Sequence, residues 1–201
     1  MSMSELHKPE WYGECAIISD KYNDYVQIKY KCNGTGTLYD YSLFPGINLI
    51  FMDFNCSDIF HEPIPNKNII EIRHYQKGRV EFELRNNKVF HMKEGELCIN
   101  ALANVPAAYS FPFGYSVGLS CVIDKDSIDA KTKQIFSYYN IDVLNLGQEL
   151  EIEKKWFLCR TPQRLLHIFD ELYTAKGVEG KDYFRIKLLE LFYHIKQRSE
   201  E

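Results

Sequence analysis

The sequence of 201 residues contains no long apolar run and no N-terminal signal pattern. Its longest uninterrupted apolar runs, such as residues 49–52 and 156–159, have four residues, whereas a membrane-spanning helix needs about 20. No apolar segment follows the charged residues of the N-terminus, which excludes a secretory signal. These absences predict a cytoplasmic protein that does not contact a membrane.

Positive charge and paired cysteines are also scarce. The chain has 24 Lys and Arg residues against 28 Asp and Glu, a net charge of −4. Without a basic excess it should not bind DNA by itself. Its six cysteines include no Cys-x-x-Cys pair, so we predict reduced thiols that pack as small apolar groups rather than a zinc or redox centre.

The composition is that of one large globular domain, with 45% hydrophobic and 14% aromatic residues. From residue 13 to 124, short segments of strand-forming residues alternate with turn residues, a pattern typical of an antiparallel sandwich or barrel. The strands are predicted at residues 15–19, 25–31, 37–42, 48–55, 69–76, 79–85, 88–92, 97–101 and 115–123.

After residue 124 the apolar period changes from two to 3.6 residues, which indicates helices. Helices are predicted at residues 127–139, 162–175 and 182–197, with a short one at 143–150 and a strand at 156–159. Thr161 is the predicted N-cap of the second long helix, with Pro162 at its first position. The sequence thus predicts a β-barrel over residues 1–124 and a helical region over 125–201.

The last helix carries more apolar residues than one partner surface can cover. One seam consists of Phe184, Leu188, Leu191 and Ile195, and it is widened by Tyr183, Ile186, Leu189, Phe192 and Tyr193. Either one side packs on a second subunit, which makes the seam a dimerisation element, or the helix is fully buried in a monomer. We predict the dimer.

No phosphate-binding loop, nucleophile elbow or zinc-protease motif is present. The remaining candidate is a polar strand with a predicted turn at Gly78 and a returning strand after it. Alternation places Glu71, Arg73 and Tyr75 on one face. If this face points outward, its charges are ordinary surface charges. If it points into a barrel, they must pair with each other or with a polar ligand.

The segment from Glu71 to Gly78 resembles the first motif of the cupin barrels, and residues 94–99 (EGELCI) resemble the turn that opens their second motif. In metal-binding cupins this glutamate points inward, which implies an inward position for Glu71, Arg73 and Tyr75. The histidines of both motifs are missing, since PNK stands at 65–67 and PAAY at 106–109. With the glutamate alone, we predict no metal and no other cofactor.

Four segments together are similar to the sensor half of AraC-family transcriptional regulators: IEI with GRVE, FPFGYSVG, HIFDELY and YFRIKLLEL. The resemblance implies a cupin-like (jelly-roll) antiparallel β-barrel that binds a small-molecule effector, followed by helices that form a homodimer. It also implies that DNA is bound only through a C-terminal helix-turn-helix domain, which we expect to be absent from these 201 residues.

Further cavity residues are implied by the same resemblance. Phe51 and Asp53 share a strand face and are expected to line the cavity, although Asp53 could equally be a carboxylate at the barrel rim. Tyr115 is expected near the barrel mouth, with core packing as the alternative, and His91 is a further candidate. Arg79 and Glu81 are expected to pair with each other.

The sequence therefore predicts a ligand-sensing regulatory domain with no catalytic residue. The alternative is a metal-independent cupin enzyme, an isomerase or epimerase that acts on a polar metabolite. In that case Glu71 would be the general base and Tyr75 or Tyr115 the acid.

Overall fold

The structure, a computed structural model, describes residues 12, 16–60, 66–84, 89–102, 106–146, 150–152 and 155–196. Its strands are β1 (Ala16–Lys21), β2 (Val26–Tyr30), β3 (Gly34–Phe44), β4 (Ile47–Cys56), β5 (Asp58–Phe60), β6 (Asn66–Leu84), β7 (Val89–Lys93), β8 (Glu96–Leu102), β9 (Pro106–Ser110), β10 (Ser116–Asp124) and β11 (Phe157–Arg160). The helices are α1 (Ala130–Tyr138), α2 (Gln163–Ala175) and α3 (Lys181–Lys196). The predicted fold class, a cupin-like antiparallel β-barrel followed by C-terminal helices, is confirmed.

The strands form two sheets that share β6. In the first sheet the strand order is β1-β2-β3-β4-β10-β6-β8-β11, and in the second β9 lies between β5 and β6, with β7 on the other side of β6. All of these pairings are antiparallel. β10 ends at Asp124 and is followed by the helical region, but β11 returns from that region to pair with β8.

One long strand replaces the hairpin that we predicted around Gly78. β6 runs without interruption from Asn66 to Leu84, so the predicted turn is wrong. Gly78 has a φ of +87°, and a Cβ atom there would lie 2.5 Å from the carbonyl oxygen of Tyr115. The register with β10 shifts by one residue between Val117 and Gly118. Gly78 therefore marks a bend, and β6 passes from the first sheet into the second.

The central strands of the first sheet are buried on both faces. The inner face of this sheet and the second sheet enclose one apolar cluster, with Ile28, Ile50 and Phe82 among its members. Its outer face packs against the helices in a second cluster, to which Leu49 and Leu172 belong. We call these the inner core and the outer core. Because both faces of these strands are covered, buried residues follow one another without a break at 47–52 of β4 and at 69–75 of β6.

The helices begin with different caps. The Asp129 side chain accepts a hydrogen bond from the backbone N–H of Thr132 (2.7 Å) at the start of α1. α2 begins at Gln163, and Pro162 is its N-cap without a side-chain hydrogen bond. The prediction of Thr161 as the cap is wrong, because Pro162 has an extended ψ of 144° and precedes the first helical residue.

The apolar seam of α3 faces the chain itself. Phe184, Leu188, Leu191 and Ile195 are all buried in the outer core, and the Phe184 ring lies 4.8 Å from that of Tyr41 on β3. The assignment of these four residues to a dimer interface is therefore corrected, because they already cover the barrel. Exposed apolar side chains lie elsewhere on α3: Ile186 is 63% exposed and Tyr193 44%.

Two short strands, β5 and β9, were not predicted from the sequence. In the range of the short helix predicted at 143–150, residues 143–146 form turns and a bend, Leu150 has 3₁₀-helical geometry, and 147–149 lie outside the described residues. Cys32, Cys56, Cys98, Cys121 and Cys159 are not joined in disulfides, and Cys15 lies outside the described residues. No helix in the described part of the chain has the length and apolar character needed to span a membrane.

Candidate ligand-binding site

A cavity of about 60 Å³ lies in the inner core, between the two sheets. Most of its wall is aliphatic and aromatic, and the polar groups are few. The lining residues are Tyr12, Tyr30, Leu38, Ile50, Met52, Phe54, Ile59, Glu71, Arg73, Tyr75, Leu102, Tyr109, Ser120 and Val122. An apolar cavity with a few converging polar groups is the usual form of a small-molecule site.

The central polar feature is a buried ion pair on β6. The guanidinium of Arg73 donates to Oε1 of Glu71 from Nη2 (2.7 Å) and from Nε (3.2 Å). The hydroxyl of Ser120, on the neighbouring strand β10, donates to the same oxygen at 2.5 Å. Glu71 and Arg73 are 5% and 6% exposed. Such a pair is stable in an apolar interior only when its remaining hydrogen-bonding groups are also satisfied.

Aromatic rings cover the guanidinium. Its Cζ atom lies 5.0 Å from the ring centroid of Phe82 and 5.4 Å from that of Tyr109. Nη2 also lies 3.4 Å from the Tyr109 hydroxyl oxygen. These contacts place the cation over ring faces at distances typical of cation–π interactions. Arg73 is therefore held in one orientation by both its carboxylate and its aromatic neighbours.

Burial and charge set the protonation of the cavity at neutral pH. Burial disfavours the charged guanidinium, but the Glu71 carboxylate outweighs this effect and the pKa of Arg73 is raised well above its usual value. Burial also raises the pKa of Tyr75 and of Tyr109, although the nearby cation acts in the opposite direction. The arginine is thus charged and both phenols are protonated.

Two atoms of the ion pair have no hydrogen-bond partner in the described part of the chain. They are Oε2 of Glu71, an acceptor, and Nη1 of Arg73, a donor. Buried polar groups are nearly always hydrogen-bonded, and leaving one without a partner typically costs about 1–3 kcal/mol. The cavity therefore offers one acceptor and one donor to a bound molecule.

A second polar group lies beside the cavity and involves the lining residue Tyr12. Its phenol donates to the carboxylate of Asp40, which also accepts from the Asn48 side-chain amide at 2.8 Å. The Tyr30 hydroxyl donates to the backbone oxygen of Tyr12 at 2.9 Å. Burial, followed by the charge of Asp40, raises the pKa of the Tyr12 phenol. These bonds hold Tyr12 against the barrel.

The structure brings together three of the predicted cavity residues, Glu71, Arg73 and Tyr75, on the inner face of β6. Phe51 and Asp53 do not join them. Phe51 lies in the outer core, with its ring 5.6 Å from that of Phe184, and Asp53 lies at the same outer face with an oxygen 4.0 Å from Nζ of Lys176. Their placement in the cavity is corrected, because the inward face of β4 is the other one.

His91 and Tyr115 also lie away from the cavity. His91 is exposed on β7, opposite Glu81. Tyr115 is 45% exposed, beside Phe113 on the surface loop before β10. Both placements are corrected, since neither side chain points between the sheets. Arg79 and Glu81 do form the expected pair, with Nη2 and Oε1 2.8 Å apart.

The sequence analysis missed the other eleven lining residues, which are Tyr12, Tyr30, Leu38, Ile50, Met52, Phe54, Ile59, Leu102, Tyr109, Ser120 and Val122. Ile50, Met52 and Phe54 alternate along β4 on the face opposite to that of Phe51, which we had predicted to line the cavity. Ser120 is a polar residue within the apolar segment of β10, and that is the one signal that could have marked it. Tyr12 and Tyr109 reach the cavity through contacts distant in sequence.

The opposite face of β6 contacts the helices. The His74 ring stacks on Phe169 of α2, with centroids 4.1 Å apart and an interplanar angle of 7°. Its Nδ1 lies 3.1 Å from the Tyr173 hydroxyl oxygen, and that hydroxyl donates to the His74 backbone oxygen, also at 3.1 Å. Burial lowers the pKa of His74 to about 4. One strand thus connects the cavity to α2.

Among the described residues, no three or more His, Cys, Asp or Glu side chains lie together where they could hold a metal ion. Glu71 is surrounded by Arg73, Ser120 and aromatic rings. This donor set does not resemble the imidazole and carboxylate ligands that transition metals require.

No protein-family model matches the chain, and no curated protein sequence matches it. In fold it resembles the AraC-like transcriptional activator CuxR, with a TM-score of 0.46 and 9% identity over 90% of this chain and 58% of that one. It also resembles ToxT from Vibrio cholerae, with a TM-score of 0.42 and 10% identity over 76% and 57% of the two chains.

A third similar structure is the cupin domain of an XRE-family transcriptional regulator from Enterobacter cloacae. The TM-score is 0.34 and the identity 15%, over 43% of this chain and 92% of that domain. The present chain thus spans little more than half the length of the two AraC-like proteins.

Proposed function

We propose that this chain is the effector-sensing domain of an AraC-type transcriptional regulator. A small molecule binds in the barrel cavity without being chemically changed, and the helical region forms a homodimer in the cytoplasm. DNA is bound by a separate helix-turn-helix unit. The observation that carries the proposal is the buried Glu71–Arg73 pair, which lines an apolar cavity and has one acceptor and one donor without a partner among the described residues.

The position of this pair supports sensing. Glu71 and Arg73 alternate along β6 with His74, which stacks on α2 from the other face of the same sheet. A ligand that changes the position of β6 would therefore act on the helices through a direct contact. A preference of the ligand for one arrangement by about 1–3 kcal/mol is sufficient for regulation.

The test combines ligand binding with product analysis. The chain is screened by thermal shift against a panel of uncharged and charged metabolites, and each stabilising compound is then incubated with the protein and analysed for conversion. We expect stabilisation without conversion. Arg73→Met should abolish the shift, because it removes the free donor and leaves Glu71 buried without its counter-charge.

Arg79→Met is the matched control, since Arg79 lies on the same strand and pairs with Glu81, outside the cavity. It should leave the ligand-induced shift unchanged. If the unaltered chain converted a stabilising compound and Glu71→Gln did not, the protein would be a metal-independent enzyme and not a sensor. If Arg73→Met and Arg79→Met lost the ligand-induced thermal shift equally, the compound would not be bound by the cavity.

A further inference from the structure

The charge balance of the cavity restricts what it can bind. Among the described lining residues, Arg73 is the single cation and Glu71 the single anion, and the two are already paired at 2.7 Å. The tyrosines and Ser120 are uncharged. The pair therefore has no net charge to offer a ligand, although an arginine in a cavity would otherwise favour a carboxylate or a phosphate.

A charged ligand would disturb this balance. An anion could bind Nη1 of Arg73 only by placing its own charge close to the Glu71 carboxylate, in an interior that separates both from water. A cation at Oε2 of Glu71 would in the same way lie close to the guanidinium. Like charges brought together in a buried site are strongly unfavourable.

An uncharged group that both donates and accepts avoids this penalty. It can donate to Oε2 of Glu71 and accept from Nη1 of Arg73, the two atoms of the ion pair that have no partner in the part of the chain that the structure describes. We infer that the ligand of this cavity is uncharged and is recognised through a neighbouring donor and acceptor of the amide type, as in a carboxamide or a lactam. This inference rests on the proposed function, because it assumes that the cavity binds a ligand.

The size of the cavity sets the scale of the recognised group. A volume of about 60 Å³ is well below the roughly 300–1,000 Å³ of sites that enclose a drug-sized molecule. The polar head that reaches the ion pair is therefore small. Probes of a few heavy atoms match it better than a complete metabolite.

Three nearly isosteric probes test the inference: propanamide, propanoate and propanamidinium. They share size and shape and differ in charge, and ligand-detected NMR at millimolar probe concentration gives their relative affinities for the intact chain. We expect propanamide to bind at least about tenfold more tightly than either ion, the smallest difference expected when a buried charge is left without compensation.

Glu71→Gln should shift the preference towards the anion. The variant keeps the shape of the side chain but gives the cavity a net positive charge, so propanoate should gain at least about tenfold relative to propanamide. The control is Glu81→Gln, the same substitution on the same strand, next to an arginine but outside the cavity. It should leave the order of the three probes unchanged.

The outcomes separate the two proposals. Propanoate binding more tightly than propanamide to the unaltered chain would overturn the uncharged ligand and leave the cavity as a sensor site. Failure of all three probes to bind would overturn both. If Glu71→Gln does not fold, as judged by circular dichroism, the order of the probes on the unaltered chain decides by itself.

Discussion

Leu188 and Ile186 lie two positions apart on α3 but occupy opposite environments. Leu188 is fully buried in the outer core, whereas Ile186 is largely exposed. We expect Leu188→Ala to lower the free energy of unfolding by about 2–5 kcal/mol, because it removes buried methyl groups and leaves a cavity. Ile186→Ala should change it by no more than about 0.5 kcal/mol. Urea denaturation of both variants measures the difference, and a similar small loss in both would mean that α3 does not pack as described.

His74 is the residue through which pH should act on stability. Burial lowers its pKa to about 4 from an ordinary value of 6.5, so the unfolded chain binds the proton more readily than the folded one. The stabilisation is fully present above pH 6.5 and is lost as the pH falls towards 4. Since one pKa unit corresponds to about 1.4 kcal/mol, the loss should reach about 3 kcal/mol.

The measurement is urea denaturation between pH 7 and pH 4. His74→Phe keeps a ring that can stack on Phe169 but cannot be protonated, so its stability should depend less on pH. It should also be less stable than the unaltered chain at pH 7, because the contact between Nδ1 and the Tyr173 hydroxyl is lost. His91→Gln, at an exposed position on β7, should retain the full slope. An unchanged slope in His74→Phe would assign the acid sensitivity to other groups.

At the scale of elements, the bend in β6 depends on one glycine. Gly78 and Gly95 both have positive φ, +87° and +74°. An added Cβ at Gly78 would collide with the backbone oxygen of Tyr115, whereas at Gly95 no atom of the other described residues, apart from the two chain neighbours, lies within 4 Å. Gly78→Ala should therefore destabilise the protein more than Gly95→Ala, which carries only the strain of a left-handed alanine, about 1 kcal/mol. Equal losses of thermal stability would contradict the close approach.

Alternation along β6 placed Glu71, Arg73 and Tyr75 on one face, and only the resemblance to the cupin barrels predicted that this face points inward, where the three residues line the cavity. The same resemblance failed on β4, where both faces are apolar. Leu49 and Phe51 pack under the helices, while Ile50 and Met52 line the cavity. A single strand carries no information on which apolar face meets a helix. Which face of β4 meets the helices depends on where later segments of the chain pack. The participation of β6 in both sheets depends on them as well.

The exposed side of α3 is the surface that we assign to a proposed dimer, in place of the buried seam. Ile186 lies on this surface. Val178 is the control position, because it is also exposed (79%) but lies in the loop before α3. Ile186→Glu should weaken dimerisation at least about tenfold, because it would bury an unpaired charge. Val178→Glu should have no effect. Sedimentation equilibrium gives the dissociation constants, and a chain that is monomeric at micromolar concentration would rule out the dimer.

At the scale of the whole molecule, the inner core and the outer core meet through the first sheet. Glu71 and Arg73 lie on its inner face, and His74 stacks on Phe169 at its outer face. If ligand binding and dimerisation both depend on this sheet, each must change the affinity of the other by the same factor, since linkage is reciprocal. Coupling of about 1–3 kcal/mol corresponds to roughly 5–150-fold.

Two titrations test this reciprocity. The dimer dissociation constant is measured with and without saturating propanamide, and the propanamide affinity is measured at protein concentrations below and above that constant. The two factors should agree. Phe169→Leu removes the ring that stacks on His74 but leaves the cavity lining intact, so it should preserve propanamide binding and reduce both factors towards one. If propanamide binds but leaves the dimer dissociation constant unchanged, the cavity and the helices act independently. The contact between His74 and Phe169 across the first sheet would then contribute to stability alone.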